Sequence, residues 1–236
     1  MTPQSVSPLA SYDDLAAMIG YSMVRPDLTD EQVVAGIEKA KALKVGFVSV
    51  RPADVDLAIR TLGASAVRPG SVCGFPHGSA NTATKLYEAR DLLRRGAKEI
   101  DAVVTTSRLL SREFQHVQME LLQLAESCHK EGAKLTVTFE SGYLTDELKI
   151  IACVCAERAE ADFVKTSTGF GPGHWTANDI QLTRKHLPEE IGVEAEGVQT
   201  LDEALEAHRL GCARIRTEAP EAILQAWQER LAASAS

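Results

Sequence analysis

Basic residues are scarce in this chain of 236 residues: 25 Lys and Arg stand against 33 Asp and Glu, a formal charge of −8. That acidic excess argues against a nucleic-acid or anionic-membrane surface as the main partner, although a local basic pocket stays compatible with it. Long apolar runs are missing too. No stretch of about eighteen consecutive apolar residues occurs, and 1–13 carries neither a basic segment nor an apolar run, so a cytoplasmic protein is expected. The five cysteines, Cys73, Cys128, Cys153, Cys155 and Cys212, are odd in number and scattered. Cys153-Val-Cys155 has no partner pair elsewhere, so buried free thiols are expected rather than a disulfide framework or a zinc site. A G-x-G-x-x-G turn is also absent after the first strands, which weakens an open, dinucleotide-binding sheet. No cofactor is expected.

What is present is alternation. Strand-like runs at 21–24, 45–50, 67–75, 99–104, 135–140, 162–168, 191–195 and 213–217 are separated by helical patterns. The helices include 81–95, a long one at 111–131, and one led by Thr29-Asp30-Glu31-Gln32, where Thr29 is the cap and Gln32 stands three residues on. Eight β-α units imply parallel strands with right-handed crossovers closing into a (β/α)8 TIM barrel, an α/β fold. With no compositional break, 1–236 reads as one domain with a polar leader at 1–12 and a short tail at 234–236. An open doubly wound sheet is the alternative.

The most informative stretch is Asp162-Phe-Val-Lys-Thr-Ser-Thr-Gly-Phe170. Extended side chains alternate between faces, so Lys165 shares a face with Phe163 and Ser167. An ordinary lysine is neutral in roughly one molecule in a few thousand near pH 7. Desolvation in a buried strand lowers the pKa, and a neutral amine attacks carbonyls to form a Schiff base, an electron sink for making or breaking a carbon–carbon bond. A strand-end lysine that snorkels to solvent or pairs with an acid is the bland alternative. Asp101, Glu140 and Glu194 also fall inside strands, where charge is rare unless paired or used. In a barrel of this kind reactive residues gather toward the carboxyl ends of the strands.

Together these residues resemble the deoxyribose-phosphate aldolase family of class I aldolases, over nearly the whole chain. Phe163-Val-Lys-Thr-Ser-Thr-Gly169 is similar to the family's Schiff-base motif, and Gly96-Ala-Lys-Glu-Ile-Asp101 to the segment whose aspartate serves the proton relay. Gly74-Phe75-Pro76 with Gly78, and Glu140-Ser141 followed by Leu144-Thr-Asp-Glu147, also fit. The resemblance implies the same barrel, Lys165 as nucleophile with Asp101 in the relay, and a homodimer.

The departures concern charge. Where the family carries a second lysine in a Gly-Val-Lys-Ala pattern, this chain has Gly192-Val-Glu-Ala195, and a carboxylate at Glu194 would raise rather than lower the Lys165 pKa. Thr136 stands where another lysine is usual, Ser49 where a cysteine is common, and Gly20-Tyr-Ser22 replaces an acidic or His-Thr pattern. The family's glycine- and serine-rich phosphate turns correspond to Gly197-Val-Gln-Thr200 and Arg216-Thr-Glu-Ala219, which keep one glycine, Gly197. Glu218 would repel a phosphate dianion, and Arg216 would bind a carboxylate or phosphate bidentately or pair internally with Glu218, the last being the arrangement expected here.

Two functions are in view. In the first, Lys165 forms a Schiff base with a small aldehyde or sugar lacking phosphate, Asp101 and Glu194 move protons, and Ser49, Thr136, Glu140, Ser167, Thr168, Gly169, Gly197 and Arg216 shape the substrate site. In the second, the chain is a silent paralogue serving as a binding or partner protein, with Lys165 held by Asp101 and Glu194. A third, metal binding by Asp101, Glu140 and Glu194, is disfavoured because Lys165 already balances charge there. His77 and His174 are expected in the pocket wall or on the surface.

Overall fold

Parallel pairing runs continuously from the first strand to the last and closes on itself. In the computed structural model, which describes residues 8–234, the strands are β1 (Ile19–Met23), β2 (Phe47–Val50), β3 (Arg68–Cys73), β4 (Glu99–Val103), β5 (Lys134–Thr138), β6 (Phe163–Lys165), β7 (Gly192–Glu196) and β8 (Cys212–Thr217). They form a closed barrel in sequence order, with β1 joined to β8 through Gly20↔Arg216 and its neighbours. This is the expected (β/α)8 barrel. Residues 1–7 and 235–236, which include most of the expected leader and tail, lie outside the described residues.

Local chemistry sets the helix starts. Thr29 accepts from the Gln32 N–H while the Gln32 side chain accepts from the Thr29 N–H, which ties down two otherwise unpaired donors. Thr200 and Glu203 do the same before Leu201–Arg209. The expected long helix at 111–131 is instead two, Thr106–Leu110 and Phe114–Lys130. Between them Arg112 adopts φ 59°, a left-handed conformation that a helix cannot include. The expected strand at 162–168 ends at Lys165. Beyond it the Ser167 and Thr168 hydroxyls accept from the N–H groups of Gly169 and Phe170, local turns that compete with a β-ladder.

The main apolar core lies between the strands and the surrounding helices. Ile100, Leu135, Val137, Val164, Val193 and Ile215 point outward from the barrel into it. The barrel interior carries the charges. Two inward glycines make room there: a Cβ on Gly20 would come 2.2 Å from the Phe47 ring, and one on Gly192 2.4 Å from the Phe163 ring.

Candidate active site

The lower half of the interior is filled by a charge cluster that reaches the surface at Arg68, whose side chain is 44% exposed. Arg214 of β8 donates to both carboxylate oxygens of Glu99 of β4 at 2.9 and 3.1 Å, and Arg68 adds a third contact at 2.6 Å. The Arg214 guanidinium lies 3.5 Å from the Phe163 ring centroid and 4.8 Å from that of Phe47. The two rings therefore close the site from below.

Above it, toward the carboxyl ends of the strands, stands a second charge cluster. Lys165 Nζ lies 2.6 Å from Asp101 Oδ2 and 2.8 Å from Glu196 Oε2. Arg216 of β8 reaches the same Asp101 Oδ2 at 3.1 Å, Glu194 Oε1 at 2.6 Å and Glu196 Oε2 at 3.9 Å. The Thr138 hydroxyl donates to Asp101 Oδ1 at 2.5 Å. All five charged groups are buried, Lys165 and Glu194 almost wholly. Three carboxylates thus face two cations in one enclosure.

This imbalance sets the proton affinities. Burial favours the neutral acid at Asp101, but the adjacent Lys165 and Arg216 cations outweigh it and hold its pKa below the ordinary range. At Glu196 burial prevails over the same cations and the pKa is raised. For Lys165, burial and the Arg216 charge push the pKa down, yet the carboxylates of Asp101, Glu196 and Glu194 overcome both and raise it. The resting proton therefore sits on Lys165.

The expected residues separate into groups. Thr168, Gly169 and Gly197 line a cavity of about 500 Å³ above Lys165, and His174, Trp175, Phe170 and Glu196 share its wall. Ser49, Thr136, Glu140, Ser167 and Arg216 lie outside that wall. Thr136 pairs in register with Asp101 and Phe163 below the lysine level, and the Ser49 hydroxyl is buried without a partner. Glu140 acts on a loop instead. Past the end of β5, at φ 53°, it accepts from the Ser167 hydroxyl at 3.0 Å, the Thr168 N–H at 3.2 Å and the Thr168 hydroxyl. It clamps the loop that follows Lys165, and so Asp101, Glu140 and Glu194 do not converge on one point. His77 is exposed.

Two expectations are corrected. Arg216 does not pair with Glu218, because it points inward to Glu194 and Asp101, whereas Glu218 lies at the barrel rim 3.8 Å from Arg25. Glu194 makes no ion pair with Lys165, its Oε1 being engaged by Arg216; the second carboxylate on the lysine is Glu196. The sequence held a signal for Glu196, since it shares the inward face with Glu194 two residues earlier and lies nearer the carboxyl end of β7.

Residues 12–217 match the model of the DeoC/LacD family aldolases. The chain belongs to this family. It is 38% identical over 204 residues to a deoxyribose-phosphate aldolase of Rhodopirellula baltica, covering 86% of this chain and 85% of that one. It is likewise 38% identical over 217 residues to that of Thermococcus gammatolerans, covering 90% and 96%. The deoxyribose-phosphate aldolase of Aeropyrum pernix, described as a unique tetramer, superimposes with a TM-score of 0.84 at 27% identity over 94% of each chain. In this aldolase Lys165 is buried near the carboxyl ends of the strands, behind Glu196, which lines the cavity. Among its described residues no helix is long and apolar enough to cross a membrane.

Proposed function

We propose that the protein cleaves and forms carbon–carbon bonds of a small β-hydroxy aldehyde, with an acetaldehyde-type donor, through a Schiff base on Lys165, and that the substrate carries no phosphate. The observation that carries the reading is the placement of Lys165, buried at the carboxyl end of β6 between two carboxylates and beneath a cavity of about 500 Å³. In the cleavage direction the iminium draws the electron pair of the breaking bond into an enamine while a base takes the β-hydroxyl proton.

Two features support an unphosphorylated substrate. The charged side chains of the cavity wall are Glu196, Glu203 and Glu218, with no Lys or Arg among the lining residues. Backbone N–H groups that could form an anion nest are already used. Those of Gly197 and Val198 donate to the Arg216 carbonyl at 3.0 and 3.1 Å, those of Gln199 and Thr200 to Glu203, and that of Ala219 to the Thr217 hydroxyl.

Borohydride trapping tests this reading. Incubation with acetaldehyde, 2-deoxyribose or 2-deoxyribose 5-phosphate, followed by reduction and intact-mass measurement, is expected to give an adduct with the first two that Lys165→Ala abolishes. An adduct with the phosphorylated sugar alone would overturn the substrate assignment. Absence of any adduct across neutral and alkaline pH would favour the silent paralogue, a reading that the double ion pairing of Lys165 supports.

A further inference from the structure

We propose that Glu196 is the group that takes the proton from Lys165 and returns it to the departing hydroxyl, and that Arg216, held by Glu194, positions the charges that make this transfer feasible. This rests on the Schiff-base reading above.

The geometry distinguishes the three carboxylates. Asp101 Oδ2 is shared by Lys165 at 2.6 Å and Arg216 at 3.1 Å, and its Oδ1 accepts from Thr138. With both oxygens engaged by donors, Asp101 is a poor proton acceptor. Glu194 is bound to Arg216 Nε at 2.6 Å, is wholly buried, and reaches neither Lys165 nor the cavity wall. Glu196 alone of the three both contacts Lys165 Nζ, at 2.8 Å, and lines the cavity. Its raised pKa brings it closer to the lysine's than an ordinary carboxylate would be. Arg216 bears on both partners: its cation opposes the positive charge on Lys165 and, 3.9 Å from Glu196, partly offsets the burial that raises that carboxyl's pKa.

The steps balance. The Lys165 ammonium gives one proton to the Glu196 carboxylate, and the freed nitrogen lone pair forms a bond to the aldehyde carbon while the carbonyl π pair moves onto oxygen. A proton shift from nitrogen to that oxygen leaves a neutral carbinolamine. The Glu196 carboxyl then protonates the hydroxyl, which departs as water as the nitrogen lone pair forms the iminium. The regenerated carboxylate is left beside the reacting carbon chain, placed to accept the β-hydroxyl proton when the carbon–carbon bond breaks. Glu196 thus also stands between the cavity and the lysine, so a substrate must displace the ion pair to enter.

The test compares wild type, Glu196→Gln and Glu196→Asp by the rate of reductive trapping with acetaldehyde between pH 6 and 9. The groups that bear on Glu196 are Lys165 on β6, Arg216 on β8, Glu194 on its own strand, Asp101 across the lysine, and His174, Glu203 and Glu218 at the rim. Wild type is expected to be nearly flat with pH, because the proton acceptor is internal. In Glu196→Gln the proton must leave to solvent, so trapping at pH 7 should fall by about 10²- to 10⁴-fold and rise about tenfold per pH unit. Glu196→Asp should restore part of the rate and the flat profile. Equal rates and flat profiles in wild type and Glu196→Gln would overturn the proposal while leaving the Schiff base intact; no adduct in wild type would overturn both. Should Glu196→Gln fail to fold, the wild-type profile decides: a rate rising tenfold per pH unit throughout the range overturns the proposal, and a flat one supports it.

Discussion

Both halves of the barrel interior hold buried ion pairs, and β4, β6 and β8 contribute to each, yet they are prepared for different work. Below, Arg214 meets Glu99 with a bidentate fork, Arg68 adds a second cation from the surface, and the Phe47 and Phe163 rings lie against the Arg214 guanidinium. Above, the carboxylates outnumber the cations and one of them, Glu196, opens onto a cavity. None of Arg214, Glu99 and Arg68 lines the cavity above Lys165. An unmatched cluster with one exposed flank has both a proton to move and a direction in which to move it.

Removing one charge from each half should break the two in opposite ways. Arg214→Met leaves Glu99 buried with Arg68 as its remaining partner, and loss of a buried ion-pair member typically costs about 3–5 kcal/mol. Urea unfolding should show that loss while trapping per folded molecule at Lys165 persists. Lys165→Met should abolish trapping and cost less stability, because Asp101 keeps Arg216 and Thr138, and Glu196, its pKa already raised, can take up a proton. If Lys165→Met proved the more destabilising of the two, the division into a structural and a reactive half would fail.

A smaller effect sharpens the same contrast. Thr138→Val keeps the shape of the side chain but removes the hydroxyl that donates to Asp101 at 2.5 Å. Hydrogen bonds to charged groups contribute about 1.5–3 kcal/mol, so a loss within that range is expected in chemical unfolding. Freed on that side, Asp101 would become a better acceptor for the Lys165 proton. An unchanged stability would mean that solvent reaches Asp101, contrary to its burial.

The barrel was legible because its evidence is periodic: eight apolar runs spaced by amphipathic helices leave few other topologies. The lysine was legible because a charge inside a strand is conspicuous. Its partners were less so. A register shift between Val193 and Glu194 places Glu194 opposite Arg214 and Glu196 opposite Arg216, and no local pattern in the chain announces such a shift. Arg216 and Glu218 are two residues apart, which suggests a pair, but β8 ends at Thr217 and the two side chains part company there, one into the barrel and one to the rim. Similarly Glu140 follows an apolar run as though it completed the strand, while its left-handed backbone turns it to the loop after Lys165. Each of these depends on how one strand meets another, which is a property of the closed barrel rather than of any segment.

The least conspicuous difference between the halves should appear in alkaline solution. The lower cluster is built on Arg214, Arg68 and Glu99, without a lysine. Lys165 does titrate: burial and Arg216 lower its pKa, three carboxylates more than compensate, and the folded value lies above the ordinary 10.5. A group whose pKa is raised on folding contributes stability that is fully present below its unfolded pKa and is lost as pH rises through the folded one. Wild type should therefore lose stability above pH 10.5 more steeply than Lys165→Met, by up to about 1.4 kcal/mol per pH unit for one proton. Arg214→Met should follow the wild-type slope from a lower starting point. Parallel curves for wild type and Lys165→Met, measured by urea unfolding from pH 9 upward, would show that the resting proton does not belong to Lys165, and the upper cluster would then have to hold it on a carboxylate instead.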